Sequence, residues 1–382
     1  MNRRLSIHLD ALRAGAALIV MLSHWAYPRF TGGRYLAIRE LNLGSDAVVL
    51  FFVLSGLVIA FSAEVKDRTA GRFLFNRATR LYSVAVPAVL LGLLLDRLGA
   101  HLNPAAYGGW WYDPTSIGDT LGYGLSFSNE WLLNGFRLGT NGPYWSLSYE
   151  VAYYLLFAAA VFLPVRLRIA ALAAGVVLAG PRALFLMPAW LLGVLLWRLI
   201  RNDRFALSRP AAWLLAVVPP VAYVVALAAH LPRDLMDATQ ALLGLDALHV
   251  HVLLRFSDEF IWNWLIGALV FAHLAGVYAL WRGTDRRQAR ETEPGASARL
   301  VRWVAGGSFS LYIIHYPVMQ FLSSVIPAGV QGPVRDALLL LATLGVCLAF
   351  AELFERQLGR LRKMLRDAVG FLPGGAAAGA GR

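Results

Sequence analysis

The first long apolar segment of the chain contains three ionisable residues, Asp10, Arg13 and His24. At about 100° per helical residue, Arg13 and His24 lie about 20° apart around the helix and ~16 Å apart along it, and Asp10 lies about 60° from Arg13. Ionisable groups inside apolar segments are costly and are therefore functional candidates. An imidazole is a common general base, which makes His24 a candidate catalytic residue. The alternative is an Asp10–Arg13 pair that anchors one end of the helix, with His24 at the headgroup level.

Two arginines three positions apart, Arg77 and Arg80, begin a later apolar segment. Residues at this spacing share one face of a helix, and guanidinium groups bind phosphates through paired hydrogen bonds. The pair could therefore hold a phosphorylated ligand. The alternative is an ordinary basic flank of a membrane helix.

Two other apolar segments also contain polar groups. In the first of them, Glu150 lies about one turn from the start and follows Trp145 and Ser148 in the sequence. A carboxylate in this position needs an arginine, a histidine or a proton as its partner. Tyr312 and His315 are three positions apart in the second and share one helical face. Tyr312, Ser148 or His315 could donate a hydrogen bond to a developing oxyanion. A structural histidine that bonds a neighbouring helix is the alternative for His315.

Several other kinds of site are not expected. His249 and His251 are not followed by further ligands at zinc spacing, so we expect no metal. The chain contains neither a Gly-x-Ser-x-Gly elbow nor a phosphate-binding glycine-rich loop. Cys347 is the single cysteine, which excludes an internal disulfide.

The composition indicates which elements must position these residues. Of the 382 residues 58% are hydrophobic and 15% are charged, against about 45–50% and about 25% in soluble domains. Apolar segments long enough to cross a bilayer recur throughout the chain. They predict an all-α, polytopic membrane protein with about ten transmembrane helices, at roughly 9–27, 43–63, 79–97, 144–164, 167–180, 183–200, 211–231, 260–281, 303–325 and 335–355. Segment 167–180 is short, and it could join its neighbour as a broken pair.

The distribution of Lys and Arg predicts the orientation. Most of the 35 basic residues fall on segments that share a side with the N-terminus, so both termini are expected in the cytoplasm. The net charge of +12 then faces anionic lipid headgroups, and no nucleic-acid partner is expected. We expect one transmembrane domain over 1–356 and a cytoplasmic tail over 357–382, first basic and then Gly/Ala-rich and disordered.

At these residues the sequence resembles the acyltransferase-3 family of integral membrane acyltransferases, over about Arg4 to Phe354. The family modifies surface glycans and some secondary metabolites, typically by O-acetylation. The resemblance implies a multi-pass protein of a bacterial inner membrane, with acyl-CoA as co-substrate and no bound cofactor. The motifs that carry it are Leu9–Arg13 with His24, Leu50–Gly56, Arg77–Tyr82, Trp145–Glu150 and Ser310–Pro317.

The resemblance also implies roles for single residues. His24 matches the family's catalytic base, and Arg77 and Arg80 match positions that handle the acyl-CoA donor. Arg13 matches a buried arginine, and Glu150 matches the acidic residue that closes the Trp-Ser-Leu motif.

The chain departs from the family pattern at one position. Many members have an Asp two residues before the Phe-Phe pair, where this chain has Val49. Asp46 lies one turn earlier and could point the same way. It is therefore a supporting residue in our prediction, with Asp10, Trp145 and Ser148.

The residues and the resemblance together predict transfer of an acyl group, most simply acetyl, from cytoplasmic acyl-CoA to a hydroxyl of an exported glycan or glycoconjugate. Whether His24 carries the acyl group itself is left open, as is the oligomeric state. A transporter or flippase of a lipid-linked sugar, or a structural scaffold, would also place polar groups inside the membrane.

Overall fold

The computed structural model describes residues 3–201, 206–282, 295–327 and 329–369. These ranges are built from α-helices, joined by short 3₁₀ turns at Pro104–Tyr107, Gly142–Tyr144 and Arg255–Ser257 and by a π turn at Ala351–Glu355. The helices are α1 Arg3–Trp25, α2 Pro28–Thr31, α3 Leu36–Glu40, α4 Leu43–Val65, α5 Ala70–Leu102, α6 Ile117–Ser126, α7 Trp145–Phe162, α8 Val165–Arg201, α9 Arg209–Ala228, α10 Leu231–Leu243, α11 Ala247–Leu254, α12 Phe260–Trp281, α13 Ala296–Ala305, α14 Ser308–Val325, α15 Gly332–Phe350 and α16 Leu358–Val369.

The all-α prediction is confirmed, and the ten predicted segments fall on helices of the described part of the chain. The segment 303–325 was predicted as one helix, but a turn at Gly306 and Gly307 divides it between α13 and α14. Eight helical stretches of that part are long and apolar enough to cross a membrane. This indicates a multi-pass membrane protein. The number of ten crossings and the cytoplasmic termini stay predictions.

Two predicted segments, 167–180 and 183–200, form the single element α8, which is broken at Gly180. Gly180 has φ 74° and ψ 170°, a conformation that suits glycine because it has no Cβ. A Cβ there would lie 2.2 Å from the carbonyl oxygen of Leu132. The amide of Leu132 also donates to the carbonyl of Leu178 at 2.8 Å. The segment before α7 therefore crosses α8 at its break.

Helix α14 is surrounded by protein. It packs against α1, α5 and α15, and most of its side chains are buried. It is not among the eight apolar stretches, since His315, Pro317 and Gln320 lower its mean hydropathy. A helix shielded from lipid can carry such polar groups at low cost.

Helices α4 and α8 approach each other closely through two glycines. A Cβ on Gly56 would lie 2.0 Å from the carbonyl oxygen of Trp190, and one on Gly193 would lie 2.0 Å from that of Val53. Small residues allow such backbone contact between membrane helices. The contact fixes the position of α4, which lines both cavities described below.

The described part of the predicted tail is helical. Leu358–Val369 form α16, with exposed basic side chains at Arg360, Lys363 and Arg366. Residues 370–382, where the disordered part of the tail was predicted, lie outside the described residues.

Candidate functional site

A cavity of about 150 Å³ lies between α1, α4, α5, α7 and α14. Among its lining residues are five of the predicted site residues, and we call it the arginine cavity. These five are Arg13, Arg77, Arg80, Glu150 and Tyr312.

Arg13 contributes a half-buried guanidinium to this cavity. It forms no hydrogen bond or ion pair with any residue that the structure describes, although Asp10 lies on the same helix. Asp10 itself is half-buried and lines neither cavity. The alternative of an anchoring Asp10–Arg13 salt bridge is therefore not seen. A cationic group in this position can bind an anionic ligand.

The guanidinium groups of Arg77 and Arg80 use only some of their hydrogen-bond donors in contacts with the protein. Arg77 lies 3.5 Å from a carboxylate oxygen of Asp67, and Arg80 lies 3.5 Å from one of Glu355. The Nε of Arg77 is buried and has no hydrogen-bond partner in the described chain. The protein contacts of both arginines use Nη2, and the Nη1 groups make no hydrogen bond with the described residues, so they remain as donors for a ligand.

Glu150 lines the arginine cavity and is held by hydroxyl groups. Its Oε1 accepts hydrogen bonds from Ser55 Oγ, at 2.8 Å, and from the hydroxyl of Tyr154. The indole of Trp190 donates to Ser55 at 3.3 Å. These contacts fix the carboxylate in the same cavity as the arginines.

A second, larger cavity of about 380 Å³ contains His24 and is called the histidine cavity. The imidazole of His24 is half-buried and stacks on Tyr27 at 5.8 Å between ring centroids. The ring of Tyr316 meets it edge-on at 5.0 Å. Charged and aromatic residues complete the wall, among them Arg39, Arg137, Arg255, Trp110, Trp145 and Glu259.

His315 fixes the orientation of His24. The Nδ1 of His315 lies 2.9 Å from the carbonyl oxygens of Leu311 and Tyr312. Because a carbonyl oxygen only accepts, this nitrogen carries the hydrogen of the neutral ring, and Nε2 is an acceptor. That Nε2 lies 2.9 Å from His24 Nδ1, which must then be the donor. The Nε2 of His24 keeps a lone pair and accepts no hydrogen bond from the described residues.

The two cavities meet at Val48 and Tyr312, which line both of them. The hydroxyl of Tyr312 lies 2.7 Å from Ser146 Oγ and 3.0 Å from the carbonyl oxygen of Pro143. Ser146 lines the arginine cavity. The arginine cavity and the cavity that contains His24 therefore adjoin at these two residues, and the hydroxyl groups of Tyr312 and Ser146 lie close to this boundary.

The predicted supporting residues Asp46 and Trp145 have different surroundings. The carboxylate of Asp46 accepts from Tyr223 at 2.7 Å and from Trp262 at 2.9 Å, and it makes no hydrogen bond with His24. The contact expected from Asp46 as a replacement for the family Asp is made by His315 instead. Trp145 lines the histidine cavity and stacks on Phe256 at 4.5 Å.

Ser148 lies away from both cavities. Its hydroxyl donates to the carbonyl of Phe127 at 2.7 Å and accepts from the amide of Glu130 at 3.1 Å, which ties the preceding loop to α7. Ser146, two positions earlier, is the serine at the cavity boundary. Ser146 and Ser148 belong to the same sequence motif. A helix places residues two positions apart about 200° from each other, so only one of the two serines can face the cavity.

Comparisons with known proteins identify the family of this chain. The family model described as "Acyltransferase domain" matches residues 7–352. Acyltransferase MdmB of Streptomyces mycarofaciens is 35% identical over 154 residues, which cover 39% of this chain and 37% of that relative. The matched region thus spans little more than a third of the relative's length. No solved structure matches. These comparisons do not favour the transporter alternative, and since the family match extends over nearly the whole chain, the protein belongs to the acyltransferase-3 family.

Proposed function

We propose that this protein transfers a short acyl group from acyl-CoA to a hydroxyl of a glycan or glycoconjugate acceptor. One observation supports this proposal most strongly. A cavity lined by three arginines and a cavity lined by His24 share two lining residues, Val48 and Tyr312. This arrangement suits a reaction between an anionic donor and a neutral nucleophile that approach from opposite sides.

In this proposal the arginine cavity receives the donor. Arg77 and Arg80 hold phosphate oxygens of acyl-CoA, and Arg13, deeper in α1, attracts the remaining negative charge. The cavity of about 150 Å³ is too small for a whole CoA molecule. It takes the narrow thioester arm, while the nucleotide stays at the mouth. The long pantetheine arm of CoA bridges the distance between the arginines and His24.

The chemistry is general-base catalysis. His24 Nε2 takes the proton of the acceptor hydroxyl, and the oxygen attacks the thioester carbonyl carbon. The C–S bond then breaks, CoA leaves as the thiolate, and the imidazolium of His24 returns the proton to that sulfur. His315 keeps the Nδ1 hydrogen of His24 in place throughout. Tyr312 and Ser146 donate hydrogen bonds to the oxyanion of the intermediate.

The histidine cavity suits a sugar acceptor. Trp110 offers an exposed aromatic face, and Arg39 and Arg137, which also line this cavity, offer hydrogen-bond donors. Aromatic faces combined with a few placed polar groups are typical of sites that orient a polar ligand. Acetyl is the simplest acyl group that fits the proposal.

We place the arginine cavity toward the cytoplasm, where acyl-CoA is available, and the histidine cavity toward the outer face of a bacterial inner membrane. The positive-inside distribution of Lys and Arg supports this orientation.

The test uses purified protein in lipid vesicles with labelled acetyl-CoA and an extract of cell-envelope glycans. The proposal predicts release of free CoA and transfer of label to a glycan. If neither CoA release nor label transfer occurred, with acetyl-CoA or with other short-chain acyl-CoAs, the proposal would be contradicted.

A further inference from the structure

The amphipathic helix α16 brings an additional arginine next to the turn of α5 that carries Arg77 and Arg80. Arg362 Nε donates to Thr79 Oγ1 at 2.9 Å, and its Nη2 donates to the carbonyl oxygen of Asn76 at 2.7 Å. In the sequence of α5, Asn76 directly precedes Arg77 and Thr79 directly precedes Arg80. Three guanidinium groups from two distant parts of the chain therefore gather at one place.

The positive charge at this place exceeds the negative charge that faces it. Asp67 and Glu355 are the carboxylates that pair with Arg77 and Arg80, and Asp67 also lies 3.9 Å from Arg72. Glu355 further accepts from the amide of Ser310 at 2.8 Å. Arg362 pairs with no acidic side chain of the described chain. Like charges this close repel each other, and a bound anion removes that repulsion.

Arg362 retains donors for such an anion. Its Nε and Nη2 bind α5, whereas Nη1 makes no hydrogen bond with the described residues. Arg362 is also half-buried, while Arg360 and Lys363 on the same helix are exposed. The exposed residues suit contact with lipid headgroups, and Arg362 alone points at the arginine cluster.

The position of Arg362 relative to the cavity indicates which part of a ligand it meets. Arg13, Arg77 and Arg80 line the arginine cavity, but Arg362 does not. CoA is a linear molecule with its thioester at one end and its adenosine 3′-phosphate at the other. With the thioester directed toward Tyr312, the 3′-phosphate stays outside the cavity, where Arg362 lies.

We propose that Arg362, together with Arg80, binds the 3′-phosphate of CoA, so that α16 forms part of the donor site. This inference rests on the proposed function, because it requires that CoA is the donor. It gives α16 a role in selecting CoA over nucleotides that lack this phosphate.

The test compares the affinities of CoA and 3′-dephospho-CoA for the full-length protein in detergent, by isothermal titration calorimetry. The wild type should prefer CoA. Arg362→Gln should weaken CoA binding about tenfold, which is the usual size of a lost hydrogen bond to a charged group, and leave 3′-dephospho-CoA binding unchanged. Arg362→Lys should restore part of the preference. Arg360→Gln, which removes the same charge from an exposed position of α16, is the matched control and should behave as wild type.

Two results for Arg362→Gln would overturn the inference. Arg362→Gln could bind CoA as wild type does, or it could weaken both ligands equally, as expected if Arg362 only tethers α16 to α5. Should Arg362→Gln fail to fold, Arg80→Gln leaves the tether intact and must reduce the same preference. A wild type that binds neither ligand would instead overturn the proposed donor itself, which separates the failure of the function from the failure of this inference.

Discussion

The imidazoles of His24 and His315 are joined by a 2.9 Å hydrogen bond between Nδ1 of the first and Nε2 of the second. The two residues are 291 positions apart and lie on α1 and α14. His315 is fully buried and fixed by backbone carbonyls, so it acts as a rigid acceptor. In catalytic pairs of this type, the second group sets the tautomer of the base and supports the charge that develops on it. We therefore assign His315 as the positioning residue of His24.

The role of His315 can be separated from a packing role by two substitutions. His315→Leu removes the acceptor, and we expect kcat to fall roughly 10²-fold, within the range of a general-base contribution. His315→Gln keeps an acceptor oxygen and should retain more activity than His315→Leu. The kcat, the KM for acetyl-CoA and the pH–rate profile are measured for each variant. If kcat fell equally in His315→Leu and His315→Gln and the pH–rate profile stayed unaltered, His315 would serve only to fill space.

Arg13 should act on donor binding. Arg13→Gln removes a guanidinium that lines the arginine cavity and makes no hydrogen bond or ion pair with the described residues, so we expect the Kd for acetyl-CoA to rise about tenfold or more. Arg166→Gln removes an exposed arginine at the start of α8 and is the matched control. Calorimetric titration with acetyl-CoA measures both. An affinity equal to that of the control would exclude Arg13 from the donor site.

Tyr312 and Ser146 should act on the chemical step. Tyr312→Phe removes the hydroxyl at the boundary of the two cavities, and loss of an oxyanion donor typically lowers kcat about 10²-fold. Ser146→Ala should lower kcat as well, and less than additively when combined with Tyr312→Phe, because the two hydroxyls lie 2.7 Å apart. Stopped-assay measurement of CoA release gives kcat and KM. A rise in KM with unchanged kcat would assign Tyr312 to binding instead.

The glycine contact between α4 and α8 should control stability. Gly56→Ala places a methyl group where a Cβ would lie 2.0 Å from the carbonyl of Trp190, and overpacking of this kind costs about 1–3 kcal/mol. Gly345→Ala on α15 has open space around the new Cβ and is the control. Thermal unfolding in detergent should show a lower midpoint for Gly56→Ala than for the wild type and an unchanged midpoint for Gly345→Ala. Equal midpoints would mean that the helices separate without loss of stability.

Much of the fold and part of the site follow from local patterns. Apolar run length predicted the helices, and the motif residues Arg13, Arg77 and Glu150 do line one cavity. These signals are readable because each depends on a residue type within an apolar segment.

The remaining features depend on contacts between distant segments. No local pattern pairs His24 with His315, or distinguishes Ser146 from Ser148 as the serine that faces the cavity. Arg362 lies in a basic stretch near the C-terminus, and only the packing of α16 on α5 shows that it joins Arg77 and Arg80. Asp46 was expected to support His24, but Tyr223 and Trp262 bond to its two oxygens, because α12 packs against α4 and α9 packs against α12.

The most direct test of the account measures CoA binding and CoA release in one variant, His24→Ala. The arginine cavity is intact in this variant, so the Kd for acetyl-CoA should equal that of the wild type. Release of free CoA in the presence of acceptor should fall at least about 10²-fold, because the base is lost. A variant that releases CoA at the wild-type rate would contradict the assignment of His24 as the catalytic base.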